Sequence, residues 1–151
     1  MRAERAPTSG ASMTAREVLD ITSRLEELSR IRDFLHVFCE TYTGEGFTEE
    51  YMAQLELAVN EAATNVMKHA YHGREGQPIQ VEAHADPGRV VIVLLHHGDS
   101  FTPESVPPPA FDGSRSNGFG VFLIRNCVDE VRYTTDDQGR NAIYMVKSYP
   151  V

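Results

Sequence analysis

The chain has 151 residues, 41% hydrophobic and 24% charged, values that suit one globular domain with a core of its own. A formal net charge of −8 with no basic patch argues against nucleic acid and anionic membrane as partners. No apolar run approaches the ~20 residues that cross a bilayer, and the opening MRAERAPTSGAS lacks the apolar stretch of a secretory signal.

Residues 1–15 read as a disordered leader and 16–151 as a single domain, expected in the cytoplasm. Residues 16–22, REVLDIT, alternate weakly and predict a first strand. From Ser23 the period becomes helical, with Leu25, Leu28, Ile31, Leu35, Phe38 and Cys39 on one face. Ser23 and Glu26 have the spacing of a capping box, and Gly44-Glu45-Gly46 should end the helix. Thr48 can cap a second helix whose first turn carries Glu49 and Glu50. That helix is expected to run to about Tyr71 and stop at Gly73. Cys39 and Cys127 sit in apolar patterns and read as small buried hydrophobes, with neither a disulfide nor a metal site favoured.

The second helix carries the first chemical signal. Leu55, Val59, Ala62 and Val66 make its core stripe, extended by Met52 and Ala70. Glu61 and Asn65 lie at the stripe's edge, about 40° apart on the helical wheel, and Lys68 and His69 continue their row. A carboxylate there can take a proton or hold a water, and an amide oxygen can bind a hard cation such as Mg²⁺. The same pair also reads as the polar edge of an amphipathic helix, with Glu61 paired to Lys68 or left in water.

Residues 79–85, IQVEAHA, alternate with period two. Asp86-Pro87-Gly88-Arg89 is a turn, and VVIVLL (90–95) is a strand apolar on both faces, so the two strands form a hairpin. A loop follows from His96 to Pro109, and AFDGSRSN (110–117) is small and polar; a structureless stretch of about twenty residues in a compact domain is usually functional or disordered. Gly118-Phe119-Gly120 opens the helical run VFLIRNCVDEV, before the strands VRYTT (131–135) and NAIYMVK (141–147). The order β-α-α-β-β-loop-α-β-β predicts an α+β two-layer sandwich. Its sheet should have about five mostly antiparallel strands, with the helices on one face.

Two further stretches bear on function. Glycines at a helix start let backbone N–H groups approach a phosphate, which the helix dipole also favours. The run at 117–124, NGFGVFLI, has that form without matching the Rossmann or Walker patterns. At the end of the buried strand stands His96-His97-Gly98-Asp99-Ser100-Phe101, where a glycine followed by Phe101 suggests a backbone turning under a flat ligand. The adjacent histidines do not make a metal site, because neighbours on a strand end point to opposite sides.

Together and in this order, these stretches resemble the GHKL ATPase superfamily, whose fold is the Bergerat type, and more closely the anti-sigma-factor serine/threonine kinases of bacteria. The resemblance runs from Glu17 to Lys147. Its N box is Glu61-Ala62-Ala63-Thr64-Asn65 with Lys68-His69-Ala70-Tyr71 behind it, and its G2 box is Asn117-Gly118-Phe119-Gly120-Val121-Phe122-Leu123-Ile124. The resemblance implies ATP and Mg²⁺ as cofactors. Glu61 would be the general base toward a serine of a protein substrate, and Asn65 the Mg²⁺ ligand. Gly118 and Gly120 would offer amides to phosphate, and residues 102–117 would form a lid with Arg115 toward the terminal phosphate. Lys68, His69, Gly98, Asn117, Phe119 and Val121 would complete the nucleotide contacts. The implied substrate is an anti-sigma-factor antagonist of the STAS fold, and the implied second partner is a sigma factor held by a homodimer.

Two positions depart from the family. His96 stands where the D-x-G box has an adenine-reading aspartate, and Tyr144 stands near where many members carry a threonine. A neutral imidazole could accept from the adenine amino group, whereas imidazolium could only donate. At an ordinary pKa, ATP affinity should therefore fall between pH 8 and 6. The alternative reading is a non-catalytic, partner-binding switch protein whose nucleotide pocket is degenerate.

Overall fold

The strands β1 (Ala15–Thr22), β2 (Pro78–Asp86), β3 (Arg89–His96), β4 (Glu130–Thr135) and β5 (Asn141–Ser148) form one sheet. Its order is β1-β2-β3-β5-β4, and every neighbouring pair is antiparallel. The computed structural model describes residues 15–100 and 119–151. Three helices, α1 (Leu28–Tyr42), α2 (Glu49–Asn65) and α3 (Phe119–Cys127), complete the α+β sandwich. Among the described residues no helix is long and apolar enough to cross a membrane.

Period-two alternation sorts each strand into two faces. Ile79, Val81, Ala83, Val90, Ile92, Leu94, Ile143 and Met145 join Ile31, Leu35, Leu55, Val59 and Ile124 of the helices in the main core. A smaller cluster of Val93, Leu95 and Ala142, with Val91 and Tyr144 packed against it, lies on the other face. This second cluster is why β3 reads as apolar throughout. β5 lies between β3 and β4, so the chain that carries α3 from one to the other crosses it.

Several joints differ from their sequence reading. Ala15, expected in the leader, pairs with Ala85 at the end of β1. Ser23 does not cap a helix. Its Oγ donates to the Arg74 carbonyl (2.6 Å) and accepts from the Gln77 amide (2.9 Å). The backbone of 74–77 thus finds a partner across the chain, and α1 is entered through a 3₁₀ turn, Leu25–Glu27, with no side-chain cap. Thr48 does cap α2, accepting from the Tyr51 amide. The helix then widens into a π turn, Val66–Ala70, closed by the Tyr71 amide on the Val66 carbonyl. His72 (φ 54°) already turns left-handed, one residue ahead of Gly73 (φ 77°).

α3 stops at Cys127, short of the apolar run's end, because β5 captures the chain beyond it. The Asp129 amide donates to the Val146 carbonyl (2.8 Å), and the Asp129 carboxylate accepts from the Ser148 amide (2.7 Å). Lys147, only 7% exposed, lies under the helices. Its Nζ donates to the Cys127 carbonyl (2.8 Å) and to Gln54 Oε1 of α2, and it sits 5.2 Å from the centre of the Tyr51 ring. One side chain therefore joins β5, α2 and the C-terminal end of α3. Lys147→Ala strands two acceptors and should cost about 2–4 kcal/mol. Lys147→Met, which keeps the packed stem, should cost less. Urea denaturation of the two variants checks this, and a loss below about 0.5 kcal/mol for the alanine would contradict it.

Candidate functional site

The turn after β3 is pinned to the end of α2. The Asp99 amide donates to the Ala70 carbonyl (2.9 Å). A Cβ at Gly98 would lie 2.7 Å from that same oxygen, so only glycine allows the approach. Tyr71, fully buried, donates its hydroxyl to the Pro78 carbonyl (2.6 Å) and accepts from the His97 amide (2.8 Å). From the sheet side, Asn141 Nδ2 donates to the Gly98 carbonyl (2.8 Å), while its Oδ1 accepts from the hydroxyls of Thr135 and Ser100. Residues 96–100 are thus held from helix and sheet at once.

Between this turn, α2 and α3 lies an open cleft. Its walls are largely apolar: Ala62, Val66 and Ala70 from α2 and its π turn, Ile124 from α3, and Tyr133 and Ile143 from the sheet. Asn65, His69, His96, Asp99 and Ser100 supply the polar groups. Asn65 is half-buried, and among the described residues its amide has no hydrogen-bond partner, so its oxygen is available to a hard cation. Glu61 is also half-buried, one turn earlier on the same edge of α2, and its carboxylate has no partner among the described residues.

His96 is 2% exposed. Its Nδ1 accepts from the Gly98 amide (3.1 Å), and its ring meets Tyr71 edge-on at 5.8 Å. Burial, with a smaller contribution from the neighbouring His97, pushes its pKa down to about 4. The imidazole is therefore neutral between pH 6 and 8, and the expected loss of affinity on acidification across that window has no basis here. With Nδ1 serving as acceptor, the ring's one proton sits on Nε2. The Nδ1 lone pair of His96 is therefore engaged within the turn itself.

Tyr144 is likewise corrected. It pairs with Val93 on the face of the sheet away from the helices, with the Arg132 guanidinium 5.0 Å from its ring centre. Ile143, one residue earlier, is the β5 side chain in the cleft. Lys68 is exposed and not among the cleft residues, and Val121 is buried within α3. Phe119 and Gly120 form the first turn of α3 as described. Phe101, Arg115, Asn117, Gly118 and the lid 102–117 lie outside the described residues. The sequence reading gave no site role to Tyr71, Asn141, Tyr133 or Ile143. Strand alternation was the available signal for Ile143, but Ala142, Tyr144 and Val146 are apolar as well and hide which face is inward.

The family model described as the histidine kinase-like ATPase domain matches residues 21–147. The serine-protein kinase RsbW of Oceanobacillus iheyensis is 32% identical over 95 residues, 58% of this chain and 60% of that protein. RsbW of Listeria innocua is 34% identical over 101 residues, 61% of this chain and 64% of that protein. The chain thus spans less than two thirds of the length of these relatives. Among solved structures, the RsbU and RsbW domains of a Mycobacterium tuberculosis protein superpose with a TM-score of 0.61 at 15% identity, covering 88% of this chain and 32% of that one. That likeness is one of fold.

A neutral buried histidine links stability to pH. The unfolded chain takes a proton on His96 near pH ~6.5, the folded chain only near 4. The stability tied to this group is therefore complete above about pH 6.5 and is lost as pH falls toward 4. His96→Asn keeps an acceptor for the Gly98 amide but does not titrate. Between pH 6.5 and 4 the wild type should lose on the order of 2–3 kcal/mol more than this variant. Denaturation at a series of pH values measures the difference, and parallel curves would contradict it.

Proposed function

We propose that this chain, which belongs to the histidine kinase-like ATPase domain family, is an ATP-dependent serine/threonine protein kinase of the anti-sigma type. Its domain spans residues 16–151, it works in the cytoplasm as a homodimer, and its partners are a sigma factor and a STAS-fold anti-sigma-factor antagonist, the substrate. The observation that carries the reading is the pairing of Glu61 and Asn65, both partnerless among the described residues, on the α2 edge beside an apolar cleft. The names of the curated relatives, serine-protein kinases, support it.

In this reading the purine lies in the cleft and its phosphates extend toward the start of α3, whose dipole favours them. Asn65 would hold Mg²⁺, which neutralises phosphate charge when bound. Gly118, Gly120, Asn117 and Arg115 would contact the phosphates, with Lys68 and His69 at the rim of the site. The substrate serine oxygen forms a bond to the γ-phosphorus as the bond from that phosphorus to the β–γ bridging oxygen breaks. The electron pair leaves with ADP, and Glu61 takes the serine proton. The degenerate-pocket alternative draws on one observation: at the position of the family's aspartate stands a buried histidine whose Nδ1 is engaged by the Gly98 amide.

Single-turnover transfer from labelled ATP to a STAS-fold antagonist, with calorimetry of nucleotide binding, tests the reading. Glu61→Gln keeps shape but cannot take the proton, so transfer should fall by ~10²–10⁴ with affinity nearly unchanged. Transfer at an undiminished rate would remove Glu61 from this role. Asn65→Ala should weaken Mg-ATP more than metal-free ATP, since it removes a cation ligand. Equal losses with and without Mg²⁺ would count against the assignment.

A further inference from the structure

We propose that Asn141 is a positioning residue for the nucleotide: its side chain sets the spacing between two walls of the cleft, and through that spacing the affinity for the base. The inference rests on the cleft being the nucleotide site and concerns only what holds its base end in shape. One wall is the turn after β3, which supplies His96, Asp99 and Ser100. The other is the β4–β5 pair, where Tyr133 stands opposite Ile143.

The turn is well tied to the end of α2. The His97 amide donates to the Tyr71 hydroxyl (2.8 Å), the Asp99 amide donates to the Ala70 carbonyl (2.9 Å), and the Asp99 carboxylate meets His72 Nε2 (2.5 Å). None of these bonds fixes the turn against β4 and β5. The β3–β5 ladder ends at the His96–Asn141 pair, and among the described residues no backbone bond joins 97–100 to the sheet. Asn141 makes that connection with its side chain. Nδ2 donates to the Gly98 carbonyl (2.8 Å), and Oδ1 accepts from the Ser100 hydroxyl (3.3 Å). A carbonyl can only accept, so the amide nitrogen must face Gly98 and the amide has one orientation. Thr135, opposite Asn141 on β4, donates to the same Oδ1 and holds it from the far side. Asn141 is 5% exposed, so a partner lost here is not replaced freely by water.

One side chain thus ties the residues on both sides of Asp99 to the strands that carry Tyr133 and Ile143. The cleft is largely apolar, so a base within it is held mainly by contact. A gap of ~0.5–1 Å forfeits about a quarter to a half of that attraction. Glu61 and Asn65 belong to α2, to which Asn141 makes no hydrogen bond among the described residues. Asn141 should therefore act on the base and leave both the metal and the proton transfer alone.

Calorimetry of the full chain with adenosine, ADP and ATP, with and without Mg²⁺, tests this beside steady-state transfer to a STAS-fold antagonist. Asn141→Leu keeps the branched shape and removes all three bonds. It should weaken the three ligands by one common factor, roughly tenfold, whether or not Mg²⁺ is present. KM for ATP should rise by that factor, with kcat at saturation within about twofold of wild type. A loss confined to Mg-ATP, a fall in kcat at unchanged KM, or undiminished affinity in the folded variant overturns the inference and leaves the nucleotide site standing. Should Asn141→Leu not fold, Thr135→Val decides. It removes one donor from Oδ1 at an exposed position and should weaken adenosine about threefold; wild-type affinity in that variant overturns the inference. Binding of none of the three ligands by the folded wild type overturns the proposed function, and this inference with it.

Discussion

The close approach of Gly98 to the Ala70 carbonyl is the contact from which the cleft is built. It joins the end of the central strand to the end of the helix that carries Glu61 and Asn65. A side chain at 98 would drive the two apart, and the Asp99 amide would lose its bond to Ala70. The π turn contributes to the same joint. Its wider winding ends the helix at Ala70, with the carbonyl of that residue left to accept from the turn. Tyr71 follows at once and spends its hydroxyl on both flanking segments, the start of β2 and the exit of β3.

The sheet register completes the arrangement. Asn141 stands opposite His96 at the end of the β3–β5 pair, and Tyr133 opposite Ile143 one strand over. The cleft therefore sits at the end of the sheet where β3 gives way to its turn. Asn141 is buried with its amide satisfied on both sides, the condition under which a buried polar group adds definition to a site.

Most of the fold is legible in periodicity. The alternation of 79–85, the helical stripe of 55–66 and the turn at Asp86–Arg89 each match an observed element, and Thr48 caps its helix as read. The differences from that reading have separate physical causes. Ser23 has a capping spacing, yet its hydroxyl binds residues 74 and 77. Tyr144 sits in a strand apolar on both faces, so alternation alone could not say which face met the cleft. His96 lines the cleft, but which of its ring nitrogens is engaged depends on a bond from an amide two residues on, which no pattern of residue types reveals. Glu61 and Asn65 lie one turn apart on α2, as helical spacing alone predicts.

The lysine clamp beneath the helices has a mechanical consequence. α3 is fastened at its C-terminal end, where Lys147 holds the Cys127 carbonyl and β5 holds Asp129. Its opposite end, in the proposed function, faces phosphate. The C-terminal end of α3 therefore cannot leave β5 or α2 without breaking the bonds of one buried ammonium to the Cys127 carbonyl and to Gln54, on the helix that bears Glu61 and Asn65.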